Sequence, residues 1–182
     1  DQAIRNGGGN RLALENQKLL VGPWAHVRPF TQPHTGGAGD IDFGDNAAIE
    51  LHDFLLRWFD YWLKDSDTGI MDEPPVSLFI MGDNRWRQEK EWPLARTHYT
   101  NYYLHSRGSA NSSSGDGTLS TTPPMDEQVD QFIYDPNKPV PTLGGNTLNI
   151  PYGVMGHRAL EEREETLVYS APTLDKRIES TG

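Results

Sequence analysis

Between residues 47 and 63, apolar side chains recur every three or four positions, which is the spacing of one face of an α-helix. This pattern predicts an amphipathic helix whose apolar face packs against a sheet. Asp45 or Asn46 would cap its N-terminus by accepting a backbone N–H, and residues 65–69 would end it. The predicted face comprises Ala47, Leu51, Phe54, Leu55, Trp58, Phe59, Trp62 and Leu63.

A short apolar run at residues 17–21 stops at Gly22 and Pro23. This is typical of a buried strand that delivers its C-terminal end to a loop. Residues 24–46 follow, rich in His, Gly, Pro and Asp and without periodicity, and we interpret them as a long irregular segment. Long loops of this kind are commonly functional.

After residue 75 the apolar positions change to the short alternating runs of strands, divided by Gly, Pro, Asn and Ser clusters. The change predicts a domain boundary near residues 70–75. Short strands with irregular connections favour a β-sandwich or jelly roll over a parallel sheet, which would need crossover helices. The predicted strands are residues 76–81, 97–104, 131–134 and 167–170.

The charge of the chain limits the kinds of partner that it could bind. The 182 residues include 16 basic and 26 acidic side chains, so the formal net charge is −10. Because nucleic acids and anionic membranes are bound by clustered Lys and Arg, this charge argues against both partners. The absence of cysteine excludes thiolate zinc sites and cysteine nucleophiles in this chain and leaves its localisation open.

His26 is the sharpest candidate for chemistry, because it follows the predicted strand at residues 17–21. An imidazole at the C-terminal edge of a sheet is where an α/β hydrolase presents its general base. On spacing alone, a histidine hydrogen-bonded in an ordinary turn is the simpler interpretation.

The remaining polar candidates are weaker. No histidine pair has the spacing of a catalytic zinc site, so solvated histidines are the default and we expect no metal or cofactor. Asp40, Asp42 and Asp45 form an acidic cluster that could attract a hard cation, but it departs from the EF-hand pattern. Turn formation and charge compensation at the following helix are the alternative.

The nucleophile elbow G-x-S-x-G is absent from the sequence. Since the triad order in α/β hydrolases is Ser, then Asp, then His, a chain that begins just before the histidine would lack the first two members. We therefore expect a piece of a longer protein, inactive by itself.

Eight ordered blocks across residues 17–182 resemble one known family, the serine hydrolases of the bacterial cocaine esterase and X-prolyl dipeptidyl aminopeptidase type. That family also includes glutaryl-cephalosporin acylases and α-amino acid ester hydrolases. The blocks are LLVGPWAH, GDIDFG, LLRWFDYWLK, EPPVSLFIMGDNRWRQEKEWP, YYLHS, GDGTLSTTPP, YDPNKPVPTLGG and LVYSAPTL.

The resemblance implies an α/β plus all-β fold. Residues 1–73 would be the C-terminal edge of an α/β-hydrolase domain, and residues 74–182 the first part of a jelly-roll β-sandwich. By its position in the GPWAH block, His26 matches the triad histidine, and Trp24 would fix its loop or contact substrate. The nucleophile, the triad acid and the oxyanion hole would lie outside this chain.

The function implied is hydrolysis of a small acyl ester or amide through an acyl-serine intermediate, with His26 as general base and then general acid. The remainder of the same polypeptide, or another copy of the chain, would complete the site. The alternative is a non-catalytic β-sandwich module for binding or structural support.

Overall fold

The computed structural model describes residues 10–26, 39–148 and 152–181. It consists of short strands with few helices, and a 3₁₀ turn at Asp45–Ala47 precedes the long helix. In chain order the elements are α1 (Arg11–Glu15), β1 (Leu19–Val21), α2 (Leu51–Lys64), β2 (Val76–Ile80), β3 (Arg85–Glu89), β4 (Tyr103–His105), β5 (Thr118–Ser120) and α3 (Arg158–Glu161). None of the helices in these ranges is long and apolar enough to cross a membrane.

The described residues fall into two compact units. The first contains the described parts of residues 1–96 together with 144–154, and the second contains residues 97–143 and 155–181. Within the first unit, β1 pairs with β2 although the predicted domain boundary lies between them in sequence. The division at residue 73 stays a prediction.

A three-stranded sheet, in the order β1-β2-β3, forms the centre of the first unit. β1 runs parallel to β2, and β2 and β3 form an antiparallel hairpin across residues 81–84. Gly82 and Asn84 have positive φ in this turn, which glycine and asparagine adopt at the lowest steric cost. Val76, Leu78 and Leu94 are buried together, and Leu19, Ile80 and Trp92 pack against them.

Aromatic side chains form a second cluster in the first unit. Phe43 packs edge-on against Phe79 at 5.7 Å between ring centroids, and Phe79 packs against Trp86 at 5.5 Å. Ala47 is completely buried in this cluster. The loop before α2 is thereby attached to the β2–β3 hairpin.

Helix α2 confirms the predicted helix but not its predicted start or burial. It begins at Leu51, after the extended residue Ala48, and Glu50 rather than Asp45 or Asn46 occupies the N-cap position. Its end is close to the expected one, since Asp65 takes the left-handed conformation there. No residue of the helix is buried, because no strand of the described residues packs along its apolar face.

The apolar face of α2 is half-buried at most. Leu51, Phe54, Leu55, Trp58 and Trp62 are intermediate in exposure, whereas Phe59 and Leu63 are exposed. Asp53 and Lys64 are exposed. Arg57 is half-buried and pairs with Glu73.

Two of the four predicted strands are not strands in the structure. The run at residues 76–81 is confirmed as β2, and 97–104 contributes only β4. Residues 131–134 form no strand and are exposed, and residues 167–170 contribute only the isolated bridges at Leu167 and Ser170. β3 and β5 were not predicted. Within the described residues these strands do not amount to a complete jelly roll.

The second unit contains the two-stranded antiparallel sheet β4–β5. Ala110 is completely buried, and its amide takes part in a network of polar groups around Asp130. Asp130 accepts hydrogen bonds from the Tyr169 hydroxyl at 2.5 Å, the Ser106 hydroxyl at 2.7 Å and the Ala110 amide at 2.9 Å. These donors, the tyrosine first, lower the pKa of Asp130, and the same bond raises the pKa of Tyr169 to about 12.

Candidate functional site

The segment that leads to His26 is held in place by Trp24. The Trp24 indole packs on Trp86 at 5.4 Å between centroids, and its Nε1–H donates to the carbonyl of Ala47 at 3.1 Å. A Cβ at Gly22 would lie 2.4 Å from the Trp24 ring, so only glycine leaves room for the indole. Ala25 is buried. Trp24 therefore has the packing role expected of it; its contact with substrate stays a prediction.

His26 itself is exposed. Among residues 10–26, 39–148 and 152–181, no carboxylate, hydroxyl or carbonyl group is hydrogen-bonded to its imidazole. The structure thus places this side chain just beyond a strand end, on an anchored segment, without bringing a triad partner to it. Its catalytic role stays a prediction.

A small, mostly apolar cavity of about 250 Å³ lies beside this segment in the first unit. One wall is formed by residues 22–25, another by Phe79 and Met81, and the third includes Gly145 and Gly153. The two glycines exchange backbone hydrogen bonds of 2.8 and 2.9 Å. A cavity of this size accommodates a compact apolar group rather than a large ligand.

The acidic cluster is not assembled into a cation site. Within the described part of the chain, no three His, Asp or Glu side chains are grouped so that they could hold a metal ion. Asp42 instead accepts a hydrogen bond from the Gly44 amide at 2.8 Å, and Asp45 opens the 3₁₀ turn. Turn formation is the role that the geometry of Asp42 and Asp45 supports.

His105 and His157 depart from the solvated default. His105 is bound on both ring nitrogens, and the Nε2 of His157 lies 2.8 Å from the carbonyl of Leu143. His98 is exposed. His34 lies outside the described residues.

A serine, a histidine and a carboxylate meet at the end of the β4–β5 sheet, in an arrangement that the sequence did not indicate. His105 Nδ1 lies 2.7 Å from Glu127 Oε1, and its Nε2 lies 3.0 Å from Ser120 Oγ. These distances resemble those of a hydrolytic triad. The three residues are spread over 22 positions of chain, so no local motif announces them.

The surrounding contacts argue against catalysis at Ser120. His105 Nε2 also lies 2.9 Å from the carbonyl of Thr122, which can only accept, so this nitrogen carries a hydrogen and cannot take the serine proton while that bond is made. Ser120 Oγ also accepts a hydrogen bond from the Thr122 amide at 3.1 Å. The group is therefore a structural network rather than an activated nucleophile.

We expect the 182-residue chain to show no acyl-enzyme burst with p-nitrophenyl acetate and no labelling of Ser120 by a fluorophosphonate, because neither reagent meets an activated serine. Mass spectrometry after labelling checks this, with Ser120→Ala as the matched control. A burst that scales with protein and disappears in Ser120→Ala would contradict the structural assignment. Slow unassisted turnover by exposed histidines would persist in both proteins.

Comparison with known proteins identifies a family model for residues 68–182 and relatives that cover most of the chain. Residues 68–182 match the family model described as the X-Pro dipeptidyl-peptidase C-terminal non-catalytic domain. A cocaine esterase of Rhodococcus sp. is 38% identical over 170 residues, which are 91% of this chain and 29% of the relative. The chain thus spans less than a third of the length of that curated relative.

A solved structure is also similar. The crystal structure of an aminopeptidase from the marine sediment archaeon Thaumarchaeota archaeon matches with a TM-score of 0.50 and 27% identity. The match covers 69% of this chain and 19% of the aminopeptidase chain. An esterase and a peptidase are therefore both among the proteins that this chain resembles.

Proposed function

The chain belongs to the family of X-Pro dipeptidyl-peptidase C-terminal non-catalytic domains through residues 68–182, and from that premise we propose that it is part of a serine acyl hydrolase to which it contributes His26. The comparisons confirm the family resemblance carried by the sequence blocks. The match to this non-catalytic domain begins at residue 68, so His26 lies outside the matched region.

The position of His26 is the observation that carries the proposal. β1 runs parallel to β2, and binding and catalytic groups in such sheets collect beyond the carboxyl ends of the strands. Trp24 and Ala25 anchor the segment, while the imidazole is left exposed. A rigid support under an exposed imidazole is what a general base needs in order to meet a nucleophile supplied from elsewhere.

The chemistry proposed is acyl transfer to water. A serine Oγ–H would pass its proton to the imidazole of His26 as Oγ bonds to the acyl carbon, and the imidazolium would then protonate the departing alcohol or amine. In the second half of the reaction, water would pass a proton to His26 as its oxygen bonds to the acyl carbon. The imidazolium would then return a proton to the serine Oγ as the acid leaves. Because the relatives include an esterase and an aminopeptidase, we propose a small acyl ester or amide as substrate. The remainder of the same polypeptide supplies the serine, the triad acid and the oxyanion hole.

The apolar face of α2 supports a second part of the proposal, the α/β-hydrolase edge. An amphipathic helix is stabilised mainly by packing of its apolar face against another element. Here Leu55, Trp58 and Trp62 are half-buried, and the Trp62 Nε1–H is buried without a hydrogen-bond partner in the described residues. We infer that a sheet of the hydrolase domain covers this face.

Leu55→Ala is therefore expected to cost more in the complete enzyme than in the 182-residue chain. Full burial of Leu55 by a sheet predicts a loss of about 2–5 kcal/mol in the free energy of unfolding of the enzyme, and a smaller loss in the isolated chain. Leu56→Ala, at a position 57% exposed and outside the predicted apolar face, is the control for the same chemical change. Equal losses for Leu55→Ala in the two proteins, measured by urea denaturation, would contradict the coverage of α2.

A chimera tests the function directly. This chain would replace the matched region of the Rhodococcus cocaine esterase, and ester hydrolysis would be compared with that of the esterase lacking the region. We expect the chimera to hydrolyse p-nitrophenyl acetate with a fluorophosphonate-sensitive burst. A folded chimera without a burst would favour the alternative, a non-catalytic binding or structural module.

A further inference from the structure

Loop 121–129 lies fully on the surface of the second unit, and His105 connects it to the β4–β5 sheet. Every residue of this loop is exposed, and Met125 is 95% exposed. His105, the last residue of β4, reaches the loop through Thr122 at its start and Glu127 near its end. The His105 side chain itself is 16% exposed. One imidazole therefore ties two points of an exposed loop to the sheet.

The contacts of His105 select one protonation state. Its Nδ1 lies 2.7 Å from a Glu127 carboxylate oxygen, and its Nε2 lies 2.9 Å from the Thr122 carbonyl oxygen. Both partners are acceptors, so both ring nitrogens must carry a hydrogen for both bonds to exist. A neutral imidazole has one N–H and loses one of the two bonds, whichever tautomer it adopts.

We propose that His105, Glu127 and Thr122 form a proton-dependent latch, which fastens loop 121–129 to the sheet by two hydrogen bonds when the imidazole is protonated and by one when it is neutral. The backbone bridge between Arg107 and Gln128 holds the end of the loop in both states. Glu127 also accepts a hydrogen bond from the Ser106 amide at 3.3 Å, so release of its carboxylate affects β4 as well as the loop. The latch does not depend on the proposed hydrolase function.

The charged group in contact with His105 is negative, which favours the protonated imidazole. Glu127 is the charged partner that the loop presents to His105, while β5 and the residues after it present the hydroxyl of Ser120 and the carbonyl of Thr122. The loop also carries Asp126. Elsewhere in the unit, Asp116 pairs with Arg107 and Asp130 binds Tyr169. The hydrogen bond to Glu127 is the first cause that raises the pKa of His105.

The direction of the pH effect follows from that raised pKa. The contacts of His105 favour its imidazolium form in the folded state, so protonation of His105 stabilises the folded state. This contribution is complete below the ordinary histidine pKa of about 6.5 and is lost as the pH rises through the raised pKa. The latch is therefore fastened by both hydrogen bonds in mild acid and by one in mild alkali.

Hydrogen exchange of the backbone amides of Ser106 and Thr122 tests the latch in the 182-residue chain. Protection, corrected for intrinsic rates, is compared at about pH 5.5 and about pH 8.5, on either side of the histidine range. We expect protection in the wild type to fall about two- to tenfold at the higher pH, the range that one net hydrogen bond supports. His105→Gln should abolish the difference, and His98→Gln, at an exposed histidine, should leave it unchanged.

NMR titration of the histidine rings gives an independent reading that requires no substitution. His105 should titrate above the ordinary histidine pKa of about 6.5, and Glu127→Gln should lower the pH of its titration. A His105 titration at or below about pH 6.5 in the wild type would overturn the latch. Protection that does not change with pH in the wild type, or a pH effect that survives in His105→Gln, would overturn it equally.

Discussion

Replacing His26 with Ala in an active enzyme that carries this chain is expected to lower kcat by at least about a thousandfold. Loss of one triad member forfeits most of the rate that the triad supplies, because a serine hydroxyl without a base remains protonated. KM should change much less, since an exposed loop imidazole contributes little to substrate binding. Steady-state kinetics with a p-nitrophenyl ester measure both constants.

The fold should survive this change, because the His26 side chain is exposed and the anchoring contacts belong to Trp24 and Ala25. Circular dichroism and the midpoint of thermal unfolding should match those of the wild type. His98→Ala is the matched control, an exposed histidine of the non-catalytic region that should leave kcat unchanged. A His26→Ala enzyme that keeps more than about a tenth of wild-type kcat, a loss of only ~1.4 kcal/mol, would remove this residue from the triad.

Leu78→Ala is expected to be strongly destabilising. Leu78 is 4% exposed at the middle of the central strand β2, where it packs with Val76 and Leu94. Deleting its three outer carbons removes buried apolar contacts and leaves a cavity, at a cost of about 2–5 kcal/mol in the free energy of unfolding. Urea denaturation followed by tryptophan fluorescence measures the change, since Trp86 and Trp92 lie in or beside this sheet.

The control for Leu78→Ala is Leu104→Ala in β4, where the same atoms are removed from a side chain that is 56% exposed. We expect a loss below about 1 kcal/mol there, since little apolar surface is returned to water. If the two substitutions cost the same, the buried cluster around β2 is not the core of the first unit.

The sequence by itself determined those features whose cause is local. The apolar period of residues 47–63 identified helix α2, since apolar residues return to the same face at every turn. The change of apolar spacing at Glu73-Pro74-Pro75 distinguished the helical segment before it from the strands after it. The ordered blocks determined the family, because many short matches in one order are specific even when each is weak. His26 could be named for the same reason, from its place in the GPWAH block.

Strand β3 and the start of α2 show where local pattern fails. β3 reads Arg-Trp-Arg-Gln-Glu, and its pairing with β2 depends on the turn at residues 81–84 and on cross-strand contacts such as the hydrogen bond from Ser77 to Gln88 rather than on apolar alternation. At α2, Ala47 continues the helical period but is used in the aromatic cluster with Phe43 and Phe79. Burial in that cluster competes with helix formation, so the helix begins one turn later.

Only the tertiary structure decided which distant residues meet. β1 pairs with β2 across 57 positions, from Leu19 to Val76, and Trp24 donates to Ala47 across 23. His105 gained its partners Ser120 and Glu127 only when β4 and β5 were placed side by side. Periodicity records whether a residue faces apolar or polar surroundings, but not which partner provides them. Hydrogen-bond partners that are far apart in sequence are brought together by chain folding, and that information lies in the packing of whole elements.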